Sequence, residues 1–75
     1  MDTQDSRIPF ETQRVVSEAE AADFIGLSLP QLRRLRRQRR APDHVRLSER
    51  RLGYRIAALI AFLDSRTVTE ITEVR

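Results

Sequence analysis

The residues of this chain whose types and spacing could do chemistry are arginines concentrated in the middle of the sequence. Ten of the 14 arginines lie within residues 33–55, which contain only two acids, Asp43 and Glu49. This segment has a net charge of +8 although the whole chain has +3, because residues 1–32 and 56–75 are acidic on balance. A guanidinium donates paired hydrogen bonds to phosphate oxygens and to the edge of guanine. Such segregated charge indicates a surface for a polyanion, either a nucleic acid or an anionic membrane.

Few residues could support any other chemistry. The chain has no cysteine for disulfides or thiolate metal sites, and a single histidine, His44, cannot form a metal cluster. Asp43 and His44 have no credible nucleophile close in sequence, and there are no paired carboxylates or glycine-rich phosphate loops. A length of 75 residues predicts one small domain with a modest core. We therefore expect no enzyme activity, no cofactor, no metal and no small-molecule substrate.

The distribution of apolar residues predicts a protein that does not enter a membrane, and the absence of cysteine together with the expected polyanion surface leads us to expect a cytoplasmic, nucleoid-associated location. The longest apolar run, residues 56–63, is far shorter than the roughly 20 residues that span a bilayer. Residues 1–13 are polar, with no apolar signal core. We expect them to form a flexible N-terminal arm.

A capping box predicts the first helix, over residues 17–25. Ser17 is followed three residues later by Glu20, so each side chain can bond the other's backbone amide. Gly26 supplies the left-handed residue that commonly ends a helix. We expect the buried side of this helix to carry Ala21, Phe24 and Ile25.

A second capping box follows at once and predicts a second helix over residues 28–39. Ser28 is the cap and Gln31 its partner, and the short connection between the helices is typical of a helix-turn-helix. Leu32 and Leu35 mark the buried stripe. No acid lies between residues 33 and 41 to pair with the arginines, so we expect DNA contact, not merely a solvated face. The side chains expected to point outward are Pro30, Arg33, Arg34 and Arg37.

The apolar period changes to two after Pro42, which disfavours helix in the preceding residue. Apolar and polar residues alternate over 44–47 and again over 52–55, around a polar turn at 48–51. This pattern predicts a β-hairpin whose tip carries Arg50 and Arg51. A third helix is predicted over residues 56–65, and the buried side of this helix is expected to hold Ile56, Leu59, Ile60 and Leu63. A tail follows at residues 67–75.

Short motifs follow one another in a recognisable order and spacing along residues 15–66. They are Glu20-Ala21-Ala22, Gly26-Leu27-Ser28, Leu32, Arg34-Leu35, Pro42, Val45-Arg46-Leu47, Glu49-Arg50, Gly53-Tyr54-Arg55 and residues 60–63. In these the chain resembles the AlpA family of small phage-type regulators and excisionase-like proteins. The resemblance implies a winged helix-turn-helix of the excisionase or MerR-like kind over residues 14–66, mainly α with three helices and a small β-hairpin as the wing. It also implies that helix 28–39 enters the major groove while wing 45–55 reaches the backbone or minor groove.

The chain departs from the family's pattern at four points. Arg39 stands where the family usually ends the second helix with glycine, so a longer or differently bent helix is expected. Ala41 replaces a large aromatic residue, which should anchor the wing less firmly. Tyr54 stands in place of tryptophan, and no polar cap precedes the third helix.

We therefore expect sequence-specific binding of double-stranded DNA by a small transcription regulator or by the recombination directionality factor of a mobile element. A single module contacts few base pairs, so self-association on DNA is expected, with a site-specific integrase as partner in the second role. Two alternatives stay open: an arginine-rich protein-interaction module, such as an antitoxin or anti-regulator, and an RNA binder. Arg46 is expected to clamp phosphate or to pair with Asp43 or Glu49. The expected DNA-binding residues are Ser28, Pro30, Gln31, Arg33, Arg34, Arg37, Arg40, Arg46, Arg50 and Arg51.

Overall fold

The structure, a computed structural model, describes residues 10–68, which contain three α-helices and a three-stranded antiparallel sheet. The predictions for residues 1–9 and 69–75, most of the arm and the tail, lie outside the described residues. The last part of the predicted flexible arm, Phe10–Gln13, forms a 3-10 turn. The elements are β1 (Val15–Ser17), α1 (Glu18–Phe24), α2 (Leu29–Arg37), β2 (Val45–Arg46), β3 (Leu52–Arg55) and α3 (Ile56–Arg66).

The sheet joins the predicted hairpin to the residues that precede the first helix. β3 is the central strand, with β2 antiparallel on one side and β1 antiparallel on the other. The register sets Val16 opposite Tyr54 and Val45 opposite Gly53. The sequence patterns did not identify the strand that residues 15–17 pair with, because alternation within one strand does not identify the partner strand. This third strand ties the hairpin to the start of α1.

Gly53 allows the strands on either side to approach the centre of the sheet. A Cβ at this position would lie 2.5 Å from Val15 Cγ1 and 2.9 Å from the Val16 carbonyl oxygen. The second contact is with backbone, which cannot rotate away, so any side chain here must push β1 off β3. Glycine at this position is therefore a requirement of the sheet.

Replacing Gly53 with alanine should lower the free energy of unfolding by about 3 kcal/mol, since the new methyl group overpacks the β1–β3 contact. Urea denaturation monitored by circular dichroism measures the loss. Gly26→Ala is the control, because its Cβ would meet nothing within 4 Å and only its positive φ of 80° is unfavourable. That variant should lose about 1 kcal/mol. Equal losses in the two variants would contradict the steric account of Gly53.

Both predicted capping boxes are confirmed. Ser17 Oγ accepts from the Glu20 amide at 3.1 Å, and the Glu20 carboxylate accepts from the Ser17 amide at 3.0 Å. Ser28 and Gln31 make the equivalent pair at 3.2 and 2.8 Å. The hydrogen bond from the Ser17 backbone lowers the pKa of the Glu20 carboxyl below its ordinary value, so the first box is fully formed at neutral pH.

α2 ends earlier than predicted, at Arg37, and not at residue 39. Gln38 is the C-cap, and Arg39 has a φ of 63°, the left-handed conformation that glycine usually supplies. The Arg40 amide donates to the Leu35 carbonyl at 2.9 Å, which completes the helix-ending motif. α1 ends in the same way, with Leu27 donating to Ala22 and Gly26 in the left-handed position. α2 therefore ends where the backbone turns left-handed at Arg39, two residues before Ala41-Pro42.

Arg39→Gly should raise the free energy of unfolding by about 1 kcal/mol, because glycine has no Cβ to clash in the left-handed conformation. The midpoint of thermal or urea unfolding measures the gain. Arg40→Gly is the control, since Arg40 is not left-handed. The control should be neutral or less stable than the parent. A fall in stability for Arg39→Gly would contradict this account of the helix end.

The core lies where α1, α2 and α3 meet one face of the sheet. Leu32 and Leu59 are fully buried, as predicted. Tyr54 is fully buried too, and Ala41 packs against the core beside them. α3 has no side-chain cap, also as predicted, and its first amide, Ile56 N, donates to the Arg14 carbonyl at 3.0 Å. No helix within residues 10–68 is long and apolar enough to cross a membrane.

Several predicted core positions are wrong. Phe24 is 46% exposed, and Ala22 is buried in its place, because α1 packs through residues 21, 22 and 25 and not through 21, 24 and 25. Ile60 and Leu63 are 39% and 37% exposed, and Leu35 is only half-buried. A domain of this size cannot cover both sides of α3, so part of the apolar stripe stays at the surface.

Candidate nucleic-acid interface

The arginines of α2 form two rows on different sides of the helix. Arg34 and Arg37, three residues apart, are exposed and have no ion pair within the described part of the chain. Pro30 lies one turn earlier on the same side and is exposed too. Arg33 and Arg36 form the second row, which faces α1. The predicted outward direction of Arg34 and Arg37 is confirmed.

Glu18, the first residue of α1, holds the second row. Its Oε2 accepts from Arg36 Nη2 at 3.0 Å, and its Oε1 accepts from Arg33 Nη2 at 3.4 Å. The Glu18 side chain is only 15% exposed, so water screens these pairs less than it screens a pair on the open surface. The expectation that Arg33 has no carboxylate partner is wrong. It considered neighbours along the helix, whereas the partner comes from α1.

Arg36 also lies beside Tyr54 at the edge of the core. Burial raises the pKa of the Tyr54 hydroxyl above its ordinary value, and the positive charge of Arg36 opposes part of that rise. Neither the hydroxyl nor the buried Arg36 Nε makes a hydrogen bond among the described residues. Since Arg36 is also held by Glu18, its guanidinium is fixed between α1 and the sheet, with donor capacity left over.

The tip of the hairpin stands opposite the first half of α2. A cleft of about 230 Å³ separates them, and Arg33 from the helix and Arg50 and Arg51 from the tip line it together, with Glu18 in its wall. The turn is closed by Arg51 N donating to the Ser48 carbonyl at 3.3 Å and Leu47 N donating to Arg51 O at 2.8 Å. Three guanidinium groups from two distant parts of the sequence thus border one concave surface.

Arg46, on β2, is exposed and does not pair with the carboxylates considered from the sequence. Its Nη1 donates to the Glu49 backbone carbonyl at 3.4 Å, a long and weak bond, and no ion pair with Asp43 or Glu49 occurs within residues 10–68. Its guanidinium therefore stays available to an anion from solution.

Three predicted site residues at the start of α2 are occupied in capping or lack a donor. The Ser28 and Gln31 side chains bond each other's amides, and Pro30 has no amide hydrogen. Of the first amides of α2, only that of Leu29 remains for an incoming phosphate. Ser28 and Gln31 thus shape the helix start, and the Ser28 hydroxyl hydrogen and Gln31 Nε2 are the side-chain donors they leave free.

Arg40 is separated from the hairpin cleft. It lines another cleft, of about 340 Å³, between the end of α2 and α3. Arg39 and Arg66 share this cleft, and the Arg66 guanidinium lies 4.8 Å from the centre of the Phe62 ring. Arg40 therefore belongs to a different surface from Arg50 and Arg51.

Sequence reasoning missed Glu18, Arg36 and Arg39. The spacing of Arg33 and Arg36, three residues apart on one side of the helix, was the available signal for a shared partner. Nothing in the sequence placed that partner on α1, where an acid in the first turn is ordinary for the helix dipole. The described residues contain no group of three potential metal ligands.

Comparisons with known proteins found no matching family model, no similar curated protein and no similar solved structure.

Proposed function

We propose that this chain binds double-stranded DNA as a winged helix-turn-helix, with α2 in the major groove and the hairpin as the wing. The cleft that Arg33 shares with Arg50 and Arg51 carries this proposal. A duplex strand that leaves the major groove at α2 has its next phosphates beside the hairpin, where these guanidinium groups can neutralise them.

The two rows of arginines on α2 suit two kinds of contact. Arg34 and Arg37 are free of ion pairs and exposed, so they can reach base edges, where an arginine bonds guanine through two hydrogen bonds. Arg33 is tied to Glu18 and faces the hairpin, which suits a phosphate contact. In this proposal Arg34 and Arg37 read the base sequence, while Arg33 sets the position of the protein on the phosphate backbone.

The biological role that fits best is a small transcription regulator or the directionality factor of a mobile element's recombinase. The resemblance of residues 15–66 to AlpA and excisionase-like proteins supports it, as does the capped pair of helices α1 and α2 joined by a short turn. The protein acts by occupying and shaping DNA. In the second role its partner is a site-specific integrase.

Competition binding tests the proposal against its two alternatives. Fluorescence anisotropy of a labelled 30-base-pair duplex is measured at about 0.1 M salt, a concentration at which exposed charges act over about 10 Å. We expect duplex DNA to compete better than duplex RNA or heparin at equal phosphate or sulfate concentration. Preference for the RNA would support an RNA binder. Binding to heparin as tight as to DNA would support a general acidic partner, and either result would contradict the proposal.

Binding to DNA should be cooperative and should bend the duplex, while the free protein stays mostly monomeric. One module buries too little protein surface against DNA for tight specific binding, about 600–1,000 Å². Neighbouring copies supply the rest, and each draws phosphates towards its helix and wing. Circular-permutation gels on a multi-site fragment measure both effects.

A version ending at Arg66 tests the contribution of the tail, whose Val68 is 70% exposed and whose Ile71 and Val74 lie outside the described residues. We expect this version to lose cooperativity and to keep single-site binding. If both proteins bind an unbent single site without cooperativity, the directionality role is excluded and a simple promoter regulator remains.

A further inference from the structure

A second basic cleft on the Arg33–Arg36 side of α2 lies at the far end of the helix and shares Arg39 with the adjoining cleft that Arg40 lines. None of its basic residues is among the predicted contacts. Its volume is about 400 Å³, and its walls come from the last turn of α2 and the segment that leads into β2. The side chains that line it are Arg36, Arg39, Ala41, Pro42, Asp43 and His44.

The hydrogen-bond donors around this cleft suit an anion, with Asp43 and Glu18 together balancing the charges of Arg36 and Arg39. Two guanidinium groups, from Arg36 and Arg39, face one carboxylate, from Asp43, and the small side chains Ala41 and Pro42 leave room between them. Glu18 fixes Arg36 through Nη2 at 3.0 Å. The His44 ring is set at 63° to the Tyr54 ring with 6.1 Å between centres, so it packs at the cleft edge with a ring N–H as a further donor.

The left-handed conformation at residue 39 belongs to the helix-ending motif of α2, so the observation that bears on this cleft is that arginine, and not glycine, occupies the position. Arg39 is the one non-glycine residue in the described part of the chain with a positive φ, 63°. An arginine in this conformation costs stability that a glycine would not, and such strain clusters at binding sites. The left-handed turn directs the chain away from the helix axis and sets Arg39 in the wall of the cleft.

The two basic clefts lie along the same side of α2. Arg33 lines the hairpin cleft, Arg36 lines the second cleft, and both bond the same Glu18 carboxylate. Because residues three apart are neighbours on a helix surface, the clefts occupy consecutive turns. A polyanionic strand lying over the first would pass over the second.

We propose that the Arg36–Arg39–His44 cleft is a second phosphate site, which binds a backbone phosphate of the same DNA strand that crosses the hairpin cleft. This proposal rests on the proposed DNA binding. Asp43 acts against the bound phosphate and limits the strength of the contact, so the cleft fixes the register of the protein without holding DNA of any sequence tightly.

Arg39→Gly gives the most specific test, because its two expected effects have opposite signs. The variant should unfold at higher urea concentration, since the backbone strain is removed. It should also bind a 30-base-pair duplex about tenfold more weakly at about 0.1 M salt, and the slope of log affinity against log salt should be shallower by about one unit, the value for one lost phosphate contact. Arg14→Gln, which removes an exposed arginine that lines neither basic cleft, should change the affinity by less than about twofold.

Asp43→Asn tests the cleft in the other direction and does not depend on Arg39. It should bind the duplex about three- to tenfold more tightly, since the opposing charge is gone. Asp23→Asn makes the same change of charge on α1, at an exposed residue outside the cleft, and should change the affinity by less than about twofold.

Three results would overturn the phosphate site. One is an unchanged affinity or salt slope in Arg39→Gly, and another is an equal gain in Asp43→Asn and Asp23→Asn. The third is a combination of two observations: NMR shows that micromolar inorganic phosphate saturates the cleft, and Arg39→Gly keeps the duplex affinity of the parent. The ligand of the cleft would then be a small free anion and not a DNA phosphate. If the unaltered protein binds no duplex, the proposed function fails as well. If it binds duplex but any of the three results holds, only the second site fails.

Discussion

Replacing Arg34 and Arg37 with alanine should weaken binding to a specific duplex by about 1–3 kcal/mol for each arginine that touches a base, with relaxed specificity at one position of the site. Both side chains are exposed and free of ion pairs within residues 10–68, so the fold should be unchanged. Arg33→Ala should instead weaken binding to all sequences to a similar extent, because Arg33 faces the hairpin cleft beside Glu18. Anisotropy titrations against the specific duplex and its single-base variants measure the difference.

Equal loss of affinity for every sequence in all three variants would contradict base reading and reduce α2 to a phosphate clamp. Arg14→Ala is the matched control for loss of one positive charge, since Arg14 is exposed and precedes β1. Its affinity should stay within about twofold of the parent. The urea midpoints of the Arg34, Arg37 and Arg14 variants should match that of the parent, which separates loss of contact from loss of fold, whereas Arg33→Ala also loses its ion pair with Glu18.

Binding should weaken steeply with salt, with a log–log slope of roughly −4 to −7 per protomer if about five to eight arginines neutralise phosphates. Between 50 and 200 mM salt this corresponds to a loss of about 10²- to 10⁴-fold in affinity. The large effect follows from the arginines of residues 33–55, most of which are exposed. Titrations at five or more salt concentrations give the slope.

Replacing Arg50 and Arg51 together should make the slope shallower by up to about two units, because both line the cleft opposite α2. The control replaces Ser48, in the same turn, with another uncharged residue. This leaves the charge unaltered and should leave the slope of log affinity against log salt unaltered. If the double variant keeps the parent slope, the hairpin tip makes no contact with DNA, and the wing must be removed from the interface.

The local elements were predictable from the sequence because their signals act within a few residues. Both helix starts were predicted to within one residue from their capping boxes, Ser17 with Glu20 and Ser28 with Gln31, and the end of α1 was predicted from Gly26. The exposed direction of Arg34 and Arg37 followed from helix geometry once Leu32 was placed inside. Each of these predictions needed only neighbouring residues.

The features that were missed depend on contacts between distant segments. The pairing of β1 with β3 joins residues 15–17 to residues 53–55, and no local pattern states which strands pair. The Glu18 carboxylate on α1 pairs with Arg33 and Arg36 on α2, a contact between two different helices. The end of α2 was misplaced for another reason: arginine seldom takes a left-handed conformation, so residue composition argued for a longer helix than the one that forms.

Selection of bound duplexes from a randomised library tests the central claim, that α2 reads DNA sequence, most directly. The unaltered full chain is incubated with duplexes that contain a randomised central segment, and bound molecules are sequenced after several rounds at about 0.15 M salt, where non-specific contacts are weakened. We predict an enriched motif of a few adjacent base pairs that includes guanine, with specificity at one position lost when Arg34 or Arg37 is alanine. Retention of duplexes with no sequence enriched over the starting library would contradict the claim.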